Sequence, residues 1–184
     1  LSVVIPFYNE ENMIQKMYDE LVKEINQITK AEFEIIFIND GSKDRTFERM
    51  LAIAAGDSRV KYISFSRNFG KEAGTIAGLE YATGEAVILM DGDLQHPPAM
   101  LPQMIEAYEQ GYDVVSARRT RTGEKRHRTF LAKHFYKLAN KMMDIELMDG
   151  VSEFRLFSRK VVNAIISMQE YNRFSKGIFA WIGF

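Results

Sequence analysis

Up to residue 117, short apolar runs alternate with segments whose apolar residues recur every three or four positions. Each run is five or six residues long and predicts a buried strand. The runs lie at residues 2–6, 33–38, 60–65, 86–90 and 113–117. The segments between them predict helices over about residues 12–29, 44–56, 70–81 and 98–111. This alternation predicts an α/β fold, with a mostly parallel sheet and helices on both faces.

The regular alternation ends at Arg118. Residues 119–128 are polar and basic, which favours a loop, whereas residues 130–143 have helical spacing, with one apolar stripe and one lysine stripe. Two interpretations of that helix stay open: a core-packed helix with a solvated basic face, and a helix lying on a membrane surface. Residues 149–157 mix apolar and charged positions and receive no assignment, and residues 160–168 predict a short helix.

The composition is that of a globular domain. The chain has 184 residues, of which 46% are hydrophobic and 27% charged, and it contains no cysteine. No apolar run approaches the roughly 18 residues of a membrane span, and no signal peptide is visible. We therefore expect one domain over residues 1–184, soluble in this form and forming part of a longer protein. The absence of cysteine excludes disulfides and thiolate metal sites.

Positive charge is concentrated in one segment. Residues 118–141 contain nine Lys and Arg residues and one acid, although the net charge of the chain is −1. Such asymmetry indicates a local anionic partner rather than a generally basic protein, and we expect no nucleic-acid partner.

Two carboxylates follow the predicted strand at residues 86–90. Asp91 and Asp93 are separated by Gly92, which lets a ligand approach the backbone closely. In an open α/β sheet, ligands bind at the carboxyl ends of the strands. Oxygen ligands of this kind suit Mg²⁺ or Mn²⁺, which usually bind substrate phosphates as well. An isolated pair of this kind is also compatible with an acidic, solvated turn.

Polar clusters also follow the first and second strands, and in a parallel sheet all three clusters lie at one edge. Glu10 and Asp40 can accept hydrogen bonds from a nucleobase or a ribose. Other nucleotide sites fit poorly, because the first strand is not followed by G-x-G-x-x-G and the chain has no G-x-x-x-x-G-K-[ST]. The three histidines lack the spacing of a zinc site.

Seven segments in series resemble the inverting family-2 glycosyltransferases, over nearly the whole chain. The branch that they resemble most transfers a sugar from a nucleotide sugar to a polyprenyl phosphate. The segments are, in chain order, VVIPFYNEEN, IIFINDGSKDRT, SRNFGKEAG, ILMDGDLQHPP, DVVSARR, SEFRLFSR and FAWIGF.

The resemblance implies a GT-A (Rossmann-like) fold and a nucleotide-sugar site at the strand ends. It implies a divalent metal, Mg²⁺ or Mn²⁺, on Asp91 and Asp93, with Gln95 as a further ligand. The residues expected to bind a UDP-sugar or GDP-mannose are Pro6, Tyr8, Glu10, Asp40, Lys71, Asp91, Gly92 and Asp93. Many members have alanine at position 92, and we expect that exchange to be harmless.

The resemblance also implies residues for catalysis and for the acceptor. The expected catalytic residues are Glu153, Asp93 and Arg155. A hydroxyl acceptor needs a general base, for which Glu153 is the candidate. A phosphate monoester is largely dianionic at pH 7, so Glu153 would then be an orienting group. We expect Arg118, Arg121, Arg128 and Arg155 to bind the acceptor phosphate.

Relatives usually continue into transmembrane helices, so we expect the full-length protein at the cytoplasmic face of a membrane. Two other functions stay open. One is a soluble family-2 enzyme that adds sugar to a hydroxyl of a growing polysaccharide. The other is a domain that binds a nucleotide sugar without turning it over.

Overall fold

The computed structural model describes residues 1–118 and 151–168. In these ranges six strands form one sheet: β1 (Ser2–Phe7), β2 (Glu34–Asn39), β3 (Val60–Ser64), β4 (Ala86–Leu89), β5 (Val114–Arg118) and β6 (Val151–Ser158). The α-helices are α1 (Ile14–Ile25), α2 (Thr46–Gly56), α3 (Lys71–Tyr81), α4 (Leu101–Glu109) and α5 (Arg159–Ser167). A short 3₁₀ helix, Pro98–Met100, precedes α4.

The strand order is β3-β2-β1-β4-β6-β5. β1 pairs in parallel with both β2 and β4, β2 pairs in parallel with β3, and β6 is antiparallel to its two neighbours. The predicted α/β fold with a mostly parallel sheet is therefore confirmed. The parallel pairing brings the carboxyl ends of β1, β2 and β4 to one edge of the sheet.

Both faces of the sheet are covered. Val3, Ile5 and Phe7 of β1 pack with α1, α2 and α4 on one face, whereas Val4 packs with α3 and α5 on the other. Each of these four side chains is almost completely buried. The near-continuous apolar runs of the sequence thus correspond to strands covered by helices on both sides.

Strand β6 occupies residues that received no assignment from the sequence. It lies between β4 and β5, and Phe154, Leu156 and Phe157 are all buried. The charged positions Glu153 and Arg155 interrupt its apolar pattern, which is why neither strand nor helix periodicity was visible.

The start of α2 also differs from the expectation. The helix begins at Thr46, with Arg45 in the N-cap position, rather than at residue 44. Asp44 still stabilises this end, because its Oδ1 accepts the backbone N–H of Thr46 at 3.0 Å and the Thr46 hydroxyl at 2.6 Å. Among the described residues, no helix is long and apolar enough to cross a membrane.

Candidate active site

A cleft of about 440 Å³ opens at the carboxyl ends of β1, β2 and β4. All eight residues that were expected to bind the nucleotide sugar line it. The lining comprises Pro6, Phe7, Tyr8, Glu10, Asp40, Asn68, Gly70, Lys71, Asp91, Gly92 and Asp93. The strand ends therefore bring the predicted donor residues together in one concavity.

Hydrogen bonds join the loops that follow β1 and β2, beside the cleft. Asn9 donates its backbone N–H to the Ser42 hydroxyl at 3.1 Å, and its side-chain oxygen accepts the backbone N–H of Lys43 at 2.8 Å. The backbone N–H of Glu10 donates to the Thr46 hydroxyl at 2.8 Å. Some polar residues at these strand ends thus hold the two loops together.

Asp40 is 3% exposed, and both of its carboxylate oxygens accept backbone hydrogen bonds. Oδ1 accepts the N–H of Phe69 at 2.7 Å, and Oδ2 accepts the N–H of Gly70 at 3.0 Å. These bonds fix the loop between β3 and α3 on the end of β2. Gly41 completes the contact: its φ is +64°, and a Cβ there would lie 2.2 Å from the carbonyl carbon of Arg67. Asp40 therefore positions the residues that lead into Lys71.

Among the described residues, four carboxylates and one lysine line the cleft. The Nζ of Lys71 is 2.5 Å from Oδ1 of Asp91. Asp93 Oδ1 accepts the backbone N–H of Gln95 at 3.0 Å, across a turn in which Leu94 has a φ of +56°. Burial, followed by the negative charges of Asp93 and Asp44, raises the pKa of Glu10. The cleft therefore concentrates negative charge beside one lysine.

The donor set fits a divalent cation that is shared with a substrate. Asp91 and Asp93 present carboxylate oxygens to the same cleft. Within residues 1–118 and 151–168, no three His, Cys, Asp or Glu side chains are grouped so that they could hold a metal by themselves. A site with few protein carboxylates, completed by phosphate oxygens and water, is the usual arrangement for Mg²⁺. Gln95 is exposed and does not line the cleft, so its role as a ligand stays a prediction.

The expectation that alanine at position 92 is harmless is wrong for this chain. A Cβ on Gly92 would lie 2.3 Å and 2.6 Å from two ring carbons of Phe7. The Phe7 ring is 2% exposed and packs edge-on against Phe37, with 5.3 Å between the ring centroids. Because the ring is enclosed, it has little room to move away from the added methyl group.

Only some of the residues predicted to bind the acceptor lie within the described part of the chain. Arg155 is buried in β6 and pairs with Leu89, two residues before Asp91, which places its backbone near the same edge. Arg118 is the last residue of β5, and Glu153 lies in β6. Arg121 and Arg128 lie outside the described residues, as do the basic helix predicted over residues 130–143 and the FAWIGF segment.

Three lining residues were not predicted individually: Phe7, Asn68 and Gly70. Asn68 and Gly70 belong to the NFGK segment before α3, and a Gly-Lys pair at a helix start was the available signal. Phe7 could not be recognised as a cleft residue from the sequence, because it continues the apolar pattern of its strand. Its contact with Gly92 is formed only by tertiary packing.

The mixed sheet and the carboxylate-lined cleft at its parallel strand ends are compatible with the expected GT-A fold. The model of the family described as "Glycosyl transferase family 2" matches residues 2–166, and the chain belongs to that family. Recognition of the family from the seven segments is therefore confirmed.

Several curated relatives match over the full chain. The "Putative glycosyltransferase CsbB" of Bacillus subtilis is 52% identical, and the "Prophage bactoprenol glucosyl transferase homolog" of Escherichia coli is 45% identical. The chain spans 56% and 60% of their lengths, respectively.

A solved structure with a similar fold is the mannosyltransferase PcManGT from Pyrobaculum calidifontis in complex with GDP-Man and Mn²⁺. It has a TM-score of 0.61 and 19% sequence identity, with 89% of this chain and 46% of that chain covered. At this identity the similarity is one of fold.

Proposed function

We propose that this chain is the catalytic domain of an enzyme that transfers a sugar from a nucleotide-diphosphate sugar to a polyprenyl phosphate. The observation that carries the proposal is the convergence of Lys71, Asp91 and Asp93 in a cleft at the parallel strand ends. The match of the whole chain to 60% of a protein named as a bactoprenol glucosyl transferase homolog supports a polyprenyl phosphate acceptor.

In this proposal the nucleoside lies in the half of the cleft formed by β1 and β2. Pro6 and Tyr8 provide an apolar wall, and Tyr8 is exposed at the rim. Glu10 and Asp40 are the acceptors for groups of the ribose or the base. Each oxygen of Asp40 already accepts one backbone hydrogen bond, and a carboxylate oxygen has a second lone pair for a ligand.

The diphosphate lies at the other half of the cleft. Asp91 and Asp93 would hold Mg²⁺ or Mn²⁺ there, with Gln95 as a further candidate, and Gly92 would allow close approach to the backbone. The metal would neutralise the negative charge that develops on the leaving nucleoside diphosphate. Lys71 contributes a further positive charge at the same place.

The acceptor phosphate would approach from the side of β5 and β6, where Arg118 and Arg155 lie, with Arg121 and Arg128 as further candidates. Arginine binds phosphate in a bidentate manner. A phosphate monoester is largely dianionic at neutral pH, so its oxygen can attack without prior deprotonation. Glu153 then orients the acceptor, and attack from the side opposite the leaving group inverts the anomeric carbon. The acceptor lipid would place the full-length protein at the cytoplasmic face of a membrane.

The test is sugar transfer from a panel of UDP-sugars and GDP-mannose to a short-chain polyprenyl phosphate, with and without Mn²⁺. We expect transfer with one donor only when the metal is present. Asp93→Asn should reduce that transfer at least about a hundredfold. Loss of a residue that only hydrogen-bonds to a metal ligand typically lowers activity about 10- to 100-fold, and loss of the ligand itself should lower it more. Glycosylation of a soluble sugar instead of the lipid phosphate would contradict the proposal and favour a polysaccharide-building enzyme. Nucleotide-sugar binding without any transfer would favour a non-catalytic domain.

A further inference from the structure

The first residue of α3 forms an ion pair with the first carboxylate of the Asp-Gly-Asp turn. Lys71 Nζ is 2.5 Å from Asp91 Oδ1, and both side chains line the cleft. The two side chains are partly exposed, so a ligand that enters the cleft can reach both of them. This contact joins a cation to an oxygen of the proposed metal site.

The position of this lysine is unfavourable for the helix that carries it. The N-terminus of a helix bears a partial positive charge, which favours an anion and disfavours a cation in the first turn. Lys71 starts α3, after Gly70 in the N-cap position with a φ of +94°. Helix stability therefore does not account for a lysine here. Glu72 in the first turn and Asp91 across the cleft supply the negative charge that the helix start favours, and the phosphates of a ligand could supply it as well.

We propose that Lys71 makes the binding of a divalent metal depend on the donor diphosphate. Without a nucleotide, a metal ion must displace the ammonium group from Asp91 and then lies close to it, with Coulomb repulsion between the two cations. When the metal arrives with a diphosphate, the phosphate oxygens can accept the ammonium group, and Asp91 becomes available to the metal. Metal and nucleotide then bind cooperatively.

This inference rests on the proposed function, since it assumes that Asp91 binds a metal beside a diphosphate. It goes further in assigning to Lys71 the coupling between the two ligands. Coupling of this kind is reciprocal: if the nucleotide raises the affinity for the metal, the metal raises the affinity for the nucleotide by the same factor.

The experiment measures Mn²⁺ binding to the protein by the electron paramagnetic resonance signal of unbound Mn²⁺, with and without UDP or GDP. In Lys71→Met we expect Mn²⁺ alone to bind about three- to tenfold more tightly than in the unmodified protein, because the competing cation is gone. The gain in Mn²⁺ affinity on adding the nucleotide should shrink by a similar factor or more. Lys71→Arg keeps the charge and should behave like the unmodified protein.

Lys61→Met is the matched control. Lys61 Nζ lies 2.5 Å from Glu34 Oε2 at the opposite end of the sheet, so this variant removes the same charge and the same type of ion pair. It should leave Mn²⁺ affinity unchanged. Equal Mn²⁺ affinity in Lys71→Met and the unmodified protein would overturn the inference and leave the proposed function intact. If the unmodified protein bound no Mn²⁺ even with either nucleotide, the metal-dependent function and this inference would both fail.

Discussion

Two lysine–carboxylate pairs with the same separation lie at opposite ends of the sheet. Lys61 with Glu34 lies at the amino end, Lys71 with Asp91 lies at the carboxyl end, and each has 2.5 Å between nitrogen and oxygen. The surroundings of the two pairs differ. The Glu34 side chain is 12% exposed, whereas that of Asp91 is 30% exposed and lines a cleft.

Glu34 is surrounded by donors. In addition to Lys61, its carboxylate accepts the Ser2 hydroxyl at 2.5 Å, and the backbone N–H and hydroxyl of Thr83 at 2.6 Å and 2.8 Å. Burial alone raises the pKa of Glu34, but the hydrogen bonds from Lys61, Ser2 and Thr83 outweigh it and lower the pKa to about 2. This carboxylate ties β1, β2 and β3 to the turn before β4.

Asp91 lies instead beside other acids, Asp93 and Glu10, and the pKa of Glu10 is raised by burial and then by the charges of Asp93 and Asp44. At this end of the sheet the carboxylates line a cleft that a cation or a phosphate can enter. The same type of ion pair therefore stabilises the fold at one end of the sheet and lines the proposed donor site at the other. Substitutions at the two ends should separate these two roles.

The largest effect is expected for Gly92→Ala, which should disturb both stability and binding. The added methyl group meets the enclosed ring of Phe7. We expect the free energy of unfolding to fall by about 2–3 kcal/mol, as for other overpacked cores. Urea denaturation measures this loss, and calorimetry with a nucleoside diphosphate and Mn²⁺ should show weaker binding, because residue 92 lies between the two metal-side aspartates.

A double-mutant cycle provides the control. Phe7→Leu makes room for the methyl group, so Phe7→Leu/Gly92→Ala should lose less stability than the sum of the two single changes. Strictly additive losses would show that the Phe7 ring is not what position 92 contacts.

An intermediate effect is expected for Asp40→Ala, at the carboxyl end of β2. Affinity for UDP or GDP with Mn²⁺ should fall by about 1–2 kcal/mol, since a polar group of the ligand loses its partner. Binding of inorganic pyrophosphate with Mn²⁺ should fall less. Calorimetry with both ligands makes the comparison. Equal losses would mean that Asp40 acts only by holding Phe69 and Gly70 in place.

Asp57→Ala is the matched control for Asp40→Ala. The Asp57 carboxylate binds Arg59 and the Tyr18 hydroxyl and does not line the cleft. Hydrogen bonds from Arg59 are the main reason why its pKa is lowered to about 2. This substitution should lower stability and leave nucleotide affinity unchanged.

The residues of the cleft could be predicted because they follow directly on apolar runs. Glu10, Asp40 and Asp91 each come shortly after a buried strand, and parallel pairing then brings such positions together. Contacts between side chains from different segments could not be predicted in this way. The ion pair of Lys71 with Asp91 spans twenty positions of the chain, and the contact of Gly92 with Phe7 depends on the pairing of β1 with β4.

Strand β6 could not be predicted for another reason. A strand covered on both faces is expected to be apolar throughout, but this one carries Arg155, which is only 7% exposed. Burying a charged side chain costs free energy unless it is paired and hydrogen-bonded, so charged residues are rare in such strands. Arg155, which interrupts the apolar pattern of β6, is also one of the residues predicted to bind the acceptor phosphate.

The smallest effect is expected for Glu34→Gln, which tests the amino end of the sheet. The pKa of Glu34 is lowered from 4.5 to about 2, which corresponds to at most about 3 kcal/mol. Solvent screening at the exposed Lys61 reduces this contribution, so we expect a loss of about 1 kcal/mol at pH 7. Because the folded-state pKa is the lower one, the stabilisation is fully present above about pH 5 and is lost as the pH falls towards 2.

Urea denaturation of the unmodified protein and of Glu34→Gln across that pH range measures the difference. The two stabilities should converge at low pH, and nucleotide affinity at pH 7 should be the same. Glu48→Gln is the control, since its pair with Arg45 is exposed and should contribute no measurable stability. A stability difference that persists unchanged to pH 2 would contradict the role of the Glu34 charge. Glu34 lies at the amino end of β2, away from the cleft. A loss of nucleotide affinity in Glu34→Gln would therefore contradict the conclusion that the two ends of the sheet have separate roles.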